Sequence, residues 1–306
     1  MRTPERHRLE GPIETIGVVY REHTPEVLTI VDRLTSWAED REIRTMVEEY
    51  EGNGERPSLD LDEHAVDLVV ALGGDGTFLR ASRLAVGTDT PVLGVNIGRL
   101  GFLTAIPDSN LEGGLERVVS GEAILEYRFR LRAAIERDGE VKEAGFFALN
   151  DVVVHTSGAA RVTPLALSVA NADGEGEREE VGSFAADGVI VSTPTGSTAY
   201  SMSAGGPIIT PDVEAIVVTP ICPHSLAVRP LVLPAHQTIH VGALEDGAEH
   251  QLTVDGQVVR GLDPGERVVV AREEERPLPL VRLPGQTFFK TMRKKLNWAA
   301  RPPERA

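Results

Sequence analysis

Along the first hundred residues the apolar positions come in short solid runs separated by amphipathic stretches. Four strands are predicted, at 16–20 (Ile-Gly-Val-Val-Tyr), 43–48, 68–72 (Leu-Val-Val-Ala-Leu) and 91–95 (Pro-Val-Leu-Gly-Val), and all but the mixed second lack polar alternation, the pattern of strands buried on both faces. After the first run, Thr24-Pro25-Glu26 offers an N-cap, a proline at the first helical position and an acid in the first turn. Val27, Ile30, Val31, Leu34 and Trp37 then recur on one helical face as far as Ala38. A polar loop is predicted over 51–62, and helices over 78–84 and 110–119. Strand, helix and strand in this order predict a right-handed parallel sheet with its loops gathered at one edge.

Beyond Pro107 the period changes to two. Alternation runs over 127–133, 146–155 and 165–169, with further strands at 188–192, 216–219, 238–242, 251–254 and 267–271. Asp138-Gly139 marks a turn, 171–177 an acidic loop, and 301–306 a polar tail. The fold class predicted is therefore α/β plus β. An N-terminal Rossmann-like parallel α/β domain covers 1–107 and a β-rich domain covers 108–285. A helix beginning at Phe288 lies in a C-terminal segment, 286–306, available to pack back on the first domain.

Three stretches carry candidate chemistry. The third apolar run leads into Gly73-Gly74-Asp75-Gly76, which presents Asp75 at a strand tip, where loop amides and a helix N-terminus can meet phosphate. The same glycines equally suit a plain strand-to-helix turn. Asn150-Asp151 stands at the mouth of an apolar strand, where neither polar group is tolerated unpaired. The pair suits ribose hydroxyls, an adenine edge or a cation, or an Asx turn. From Gly188 to Ile208 there is no charged residue, and the run is dense in serine and threonine before Gly205-Gly206-Pro207. Uncharged hydroxyls and amides can wrap a nucleotide, and Tyr200 can stack on a base or ribose.

Composition narrows the partners. With 306 residues and 41% apolar content the chain can bury a substantial core, while a net charge of -16 opposes nucleic acid or an anionic membrane as partner for the whole surface. The single cysteine, Cys222, excludes an internal disulfide and a thiolate metal cluster. No apolar run approaches the roughly 20 residues that span a bilayer, and the N-terminus lacks a signal-peptide core, so a cytoplasmic protein is predicted. Lysine appears only at 142, 290, 294 and 295, and arginine supplies the other cationic side chains. An acid-rich, lysine-poor surface suits a salt-crowded cytosol and points to a halophile. A high-GC genome accounts for the arginine but not for the acid.

Together the motifs resemble those of the NAD kinases. Gly73-Gly74-Asp75-Gly76-Thr77 matches the family's GGDG motif, Asn150-Asp151 its Asn-Glu/Asp pair, and 193–207, Thr-Pro-Thr-Gly-Ser-Thr-Ala-Tyr-Ser-Met-Ser-Ala-Gly-Gly-Pro, its longest signature. The order and the two-domain plan are also similar, so the resemblance covers nearly the whole chain, and its composition points to a haloarchaeal member. GGDG alone also occurs in lipid kinases and, in related form, in sugar kinases; the long hydroxyl signature is specific. The resemblance implies phosphoryl transfer from ATP, another nucleotide or polyphosphate to the 2′-hydroxyl of the adenosine ribose of NAD, giving NADP, with a divalent cation, Mg²⁺. It implies Asp75 as the catalytic base, with Gly74 and Gly76 beside it. No Walker GxxxxGK[ST] sequence is present, so glycine-loop amides, the cation and Arg80 or Arg99 are expected to hold the triphosphate.

By the same resemblance Asn150 and Asp151 grip ribose hydroxyls, Arg161 lies near a phosphate or the adjoining ribose, and Asp187 meets a polar edge of the dinucleotide. Thr198, Ala199, Tyr200, Ser201, Met202 and Ser203 cradle it, and Ala227 and Gln257 close the pocket. Arg161 also reads as an exposed loop cation, and Arg80 sits one turn into its helix. Ala185 stands where some members carry a basic residue two places before the acid of the third motif. His155 and His224 read as structural. A homodimer or homotetramer is implied. Two other readings stay open here: a lipid or sugar kinase sharing the GGDG loop, and a non-catalytic NAD(P) sensor.

Overall fold

The computed structural model describes residues 7–9, 11–21, 25–50, 59–61, 63–98, 100–157, 163–171, 178–244 and 249–298. Arg99, Arg161, most of the polar loop expected over 51–62, the acidic loop at 172–177 and the tail at 301–306 lie outside them. The chain forms two compact units, one of Met1–Tyr127 with Leu278–Ala306 and one of Arg128–Pro277. The units exchange later than the change of hydrophobic period near Pro107. Helix Leu111–Val119 still sends Leu111, Leu115 and Val118 into the first core, and Ala123 and Leu125 follow them.

In the first unit four parallel strands lie in the order Arg44–Tyr50, Thr15–Arg21, Leu68–Gly73, Val92–Asn96. The chain end adds to this edge, with Leu280 parallel to Val92. The solid apolar runs are buried on both faces: Leu68, Val69, Val70, Ala71 and Leu72 are each 1% exposed or less. Helix Pro25–Glu39 covers one face with the predicted stripe of Val27, Ile30, Val31, Leu34 and Trp37.

The second unit packs two antiparallel sheets around one core. One sheet runs Leu231–Pro234, Ala215–Ile221, Gly188–Ser192, Asp151–Thr156, His250–Val254, Gln257–Leu262. The other places Glu179–Ala186, Thr163–Asn171, Gln237–Ala243 and the start of Arg267–Arg282 side by side. Val152, Val154, Val189, Val191, Ile216 and Val218 of the first meet Leu165, Leu167, Ile239, Val241, Val268 and Val270 of the second.

Two differences from the predicted elements bear on function. The strand predicted over 146–155 is broken at Leu149-Asn150 into Glu140–Ala148 and Asp151–Thr156, because the backbone there bonds to a carboxylate instead of a strand. Glu179–Ala186, Leu231–Pro234 and Gln257–Leu262 gave no strand signal in the pattern. Each is a sheet edge, where one side needs no apolar alternation.

Candidate active site

In the first unit the strand Leu68–Gly73 turns directly into helix Asp75–Leu84. The helix begins three residues ahead of the predicted 78–84, since a glycine and an acid carry no apolar period. Gly73 admits no side chain, for a Cβ there would overlap Thr77. Gly74, extended at φ -93 and ψ -165, is the N-cap. Asp75 thus occupies the first helical turn, where its negative charge is favoured by the aligned peptide dipoles. Around Gly74 and Gly76 a Cβ would meet nothing within 4 Å, so their bare backbone is not a packing requirement.

The Asp75 carboxylate is held by three donors. Oδ1 accepts the Leu103 amide at 3.0 Å, while Oδ2 accepts the Phe102 amide at 3.0 Å and the Lys295 ammonium at 3.3 Å. The chain passes so close to the acid that a Cβ on Gly101 would overlap the carboxyl group. Gly101 and the two amides beyond it were absent from the motif reading, as was Lys295.

Arg80 is not brought to a phosphate site. Its side chain is 7% exposed and bonds Glu48 at 2.8 Å, with the guanidinium 5.2 Å from the Tyr50 ring centroid. Glu48 Oε2 also accepts the Leu59 amide, so the pair ties the Asp75 helix to the edge strand Arg44–Tyr50. The spacing of one turn past Gly76 gave position along the helix but not which face turned inward. Arg99 lies outside the described residues.

In the second unit Asn150, Asp151 and the hydroxyl run meet. The Thr193 amide donates to Asn150 O at 2.9 Å, and the Thr193 hydroxyl donates to Leu149 O at 2.6 Å. Gly196 packs on Asn150 so closely that a Cβ would overlap its backbone. Most of the other hydroxyls also serve the loop itself. Thr198 donates to Thr195 O at 3.1 Å, Ser197 accepts the Ile209 amide at 2.9 Å, and Ser201 pairs with Thr219 at 2.8 Å. Ala199, Tyr200, Met202 and Ser203 leave surface open, and Tyr200 is 47% exposed. The hydroxyl-rich composition therefore builds a rigid ledge, and the exposed part of it is smaller than the run suggests.

Beneath the pair sits a residue that the motif reading missed. Asp255, 7% exposed and at φ 47, accepts the amides of Leu149, Asn150 and Asp151 at 2.9, 2.7 and 3.2 Å. This explains the broken strand. Its only sequence signal is the turn dipeptide Asp255-Gly256. Gln257 begins the next strand opposite Val254, whose other partner is Val152, so it belongs to the same end of the sheet as Asp151. Arg130, 1% exposed, lies in the same core; burial lowers it to about 10, against the Asp255 and Glu273 charges that raise it. Asp187 and Ala227 lie elsewhere. Ser192 pairs with Asp151 but Gly188 with His155, so Asp187 is at the far end of that strand. Ala227 lines an apolar hollow with Phe184, Val218 and Leu231. His155 is engaged by Thr253 Oγ1 at 2.9 Å and Thr156 O at 3.1 Å, a structural role. Arg161 lies outside the described residues.

Burial, and after it the Asp255 charge, push Asp151 from 3.8 up to about 7. The folded protein therefore keeps a proton on Asp151 that the unfolded chain releases near pH 4. The stability this supplies is complete below that pH and is lost as pH rises through about 7. Asp151→Asn, which cannot ionise, is expected to melt above the parent at pH 8, with the difference shrinking steadily toward pH 4. Thermal melts across that range check this, and a gap independent of pH contradicts it.

Among the described residues no three His, Cys, Asp or Glu side chains gather to hold a metal ion, and no helix is long and apolar enough to cross a membrane.

Comparison with known proteins agrees with the two-unit plan. The family model for the ATP-NAD kinase N-terminal domain matches residues 16–123, and that for the ATP-NAD kinase C-terminal domain matches 149–283. The NAD kinase of Gemmatimonas aurantiaca is 47% identical over 260 residues, 85% of this chain and 84% of that one. The NAD kinase of Chromohalobacter salexigens is 40% identical over 300 residues, 95% of this chain and 98% of its own. Among solved structures, yeast NADH kinase complexed with NADH superposes with a TM-score of 0.82 at 27% identity, covering 97% of this chain and 91% of the other. An NAD kinase from Archaeoglobus fulgidus in complex with ATP gives 0.69 at 27% identity, over 92% and 98%. With both family domains matched in order and full-length relatives at this level of identity, the chain belongs to the NAD kinase family.

Proposed function

We infer that Asp75 is the general base of the NAD kinase reaction that this chain carries out. The enzyme moves a phosphoryl group from ATP to the 2′-hydroxyl of the adenosine ribose of NAD, giving NADP. As the bond from the ribose oxygen to the γ-phosphorus forms, the bond from that phosphorus to the β–γ bridging oxygen breaks, and the hydroxyl proton passes to Asp75. The observation that carries the assignment is the carboxylate itself. It is fixed by two backbone amides at a helix start and remains 30% exposed, so it can accept a proton in one orientation. The bare amides around Gly74 and Gly76 suit the donor's phosphates.

Asn150 and Asp151 would bind ribose hydroxyls, with Tyr200 and the rest of 198–203 as the surrounding ledge and Gln257 beside them. Asp187 and Ala227, at the other end of the sheet, would meet the more distant half of the dinucleotide, and Arg161 a phosphate. Mg²⁺ would arrive on the nucleotide rather than in a protein cage, since Mg²⁺ commonly takes few carboxylates and completes its shell with phosphates and water. A homo-oligomer, implied by the resemblance to the family, completes the reading, in a salt-rich cytoplasm that the acidic, lysine-poor composition suits.

Purified protein given NAD, ATP and MgCl₂ is expected to form NADP. A panel replacing ATP by other nucleotides or polyphosphate and NAD by NADH, repeated across KCl concentrations, identifies donor, acceptor and salt response together. Absence of NADP with every donor at every salt concentration overturns the reading.

A further inference from the structure

The C-terminal segment braces the stretch that holds Asp75, an acid some two hundred residues earlier in the chain. Arg282 donates to Phe102 O at 3.0 Å, and Gln286 donates to Ala105 O. Phe288 packs on the Phe102 ring with centroids 6.1 Å apart. Helix Phe288–Leu296 then carries Lys295 over that ring, with Nζ 4.7 Å from its centroid, to Asp75 Oδ2. The amides that hold Asp75 belong to the same short stretch that these side chains grip.

We propose that Lys295 is a positioning residue for phosphoryl transfer: its ammonium fixes the Asp75 carboxylate through Oδ2 and leaves the outer side of Oδ1 to the acceptor hydroxyl. The inference rests on the reading of Asp75 as the base. Oδ2 already takes the Phe102 amide and the ammonium, whereas Oδ1 takes the Leu103 amide alone. An ionised carboxylate offers about four acceptor sites, so the place left over is on Oδ1, beside Gly101, where any side chain would overlap that oxygen.

Two features set this contact apart from an ordinary surface ion pair. The ammonium lies 4.7 Å over the Phe102 ring while the amide of that same residue bonds the same carboxylate oxygen, whereas the pair itself, with side chains 35% and 30% exposed, adds little to stability. The cation is also a lysine in a chain that otherwise uses arginine, with three of its four lysines at 290, 294 and 295. An arginine fork tends to take both carboxylate oxygens side by side, which would cover Oδ1; a single ammonium takes one.

The test is a double-mutant cycle read by steady-state NADP formation. Lys295→Met keeps the stem over Phe102 and removes the charge. It is expected to lower kcat by about 10- to 100-fold, leave KM for NAD and ATP within about twofold, and leave the melting temperature at the parent's value. In an Asp75→Asn background the same change is expected to alter kcat by less than about twofold, because the group it orients is gone. Lys295→Gln supplies the same reading should the methionine variant melt lower. Parental kcat in Lys295→Met, a raised KM for ATP at unchanged kcat, or losses that multiply with Asp75→Asn each overturn the proposal. Parental activity in Asp75→Asn alone instead overturns the base assignment on which it rests.

Discussion

Asp75→Asn is expected to abolish most of the turnover while leaving the fold intact. Asparagine keeps the size of the side chain and one oxygen able to accept a backbone amide, but it cannot take the hydroxyl proton. It also turns an amide group toward one of the donors at Phe102, Leu103 or Lys295 that now face a carboxylate. Loss of a positioned base costs on the order of 10²- to 10⁴-fold in rate, so kcat should fall into that range. KM for NAD and ATP should move little, because the ribose contacts proposed for Asn150 and Asp151 and the bare amides at Gly74 and Gly76 are untouched. A melt near the parent's is expected as well, since the carboxylate is part-exposed and the strand behind it is packed independently. Initial-rate measurements at saturating donor decide the matter. A variant as fast as the parent would move the base elsewhere.

Much of the framework around this candidate site is legible in the sequence. Solid apolar runs at 16–20, 68–72 and 91–95 mark three of the parallel strands because a strand covered on both faces has no polar side to alternate with, and Leu68 to Leu72 obey that rule. Asn150, Asp151 and the run after Ser192 were legible as oddities, polar groups set against buried strands. What stayed hidden were contacts whose two ends lie far apart in the chain. Nothing near Asp75 announces that Lys295 will reach it, or that Arg282 and Gln286 will brace the stretch from Phe102 to Ala105. Nothing near Asn150 announces Asp255.

Side-chain direction was the other blind spot. Arg80 reads as a candidate phosphate ligand until Glu48 and Tyr50 are seen to enclose it. Arg128 and Arg130, in a strand of alternating character, point inward instead of out. Arg128 reaches the Thr195 hydroxyl at 3.4 Å, and Arg130 gives a hydrogen bond to Arg276 O at 2.8 Å. Periodicity sorts apolar from polar, but a buried charge with a partner breaks the pattern, and the partner is not a neighbour in sequence.

Asp255→Ala is expected to be the most destabilising of the substitutions considered, and the reason is donor satisfaction. Leu149, Asn150 and Asp151 turn three consecutive amides toward one buried carboxylate, and alanine leaves all three without an acceptor. An orphaned buried donor costs about 1–3 kcal/mol, so the sum reaches several kcal/mol before relaxation. Alanine also strains the backbone, because residue 255 sits at φ 47, a left-handed conformation that aspartate and asparagine tolerate better. Removing the charge further deprives buried Arg130 of one of the two carboxylates that offset its burial. Set against these is one relief, the loss of a charge that helps raise Asp151, which is smaller because burial is the larger cause there. The net loss should lower Tm by on the order of 10 °C. Asp255→Asn should fall between parent and alanine variant, since its remaining oxygen can still take the Asn150 and Asp151 amides and it keeps the left-handed turn. Because the clamp shapes the backbone that presents Asn150 and Asp151, KM for NAD should rise in both variants more than kcat falls, the reverse of the Asp75→Asn result. If the alanine variant melted within a degree or two of the parent, the three amides would have found other acceptors, and Asp255 would not be what shapes the turn proposed to bind ribose.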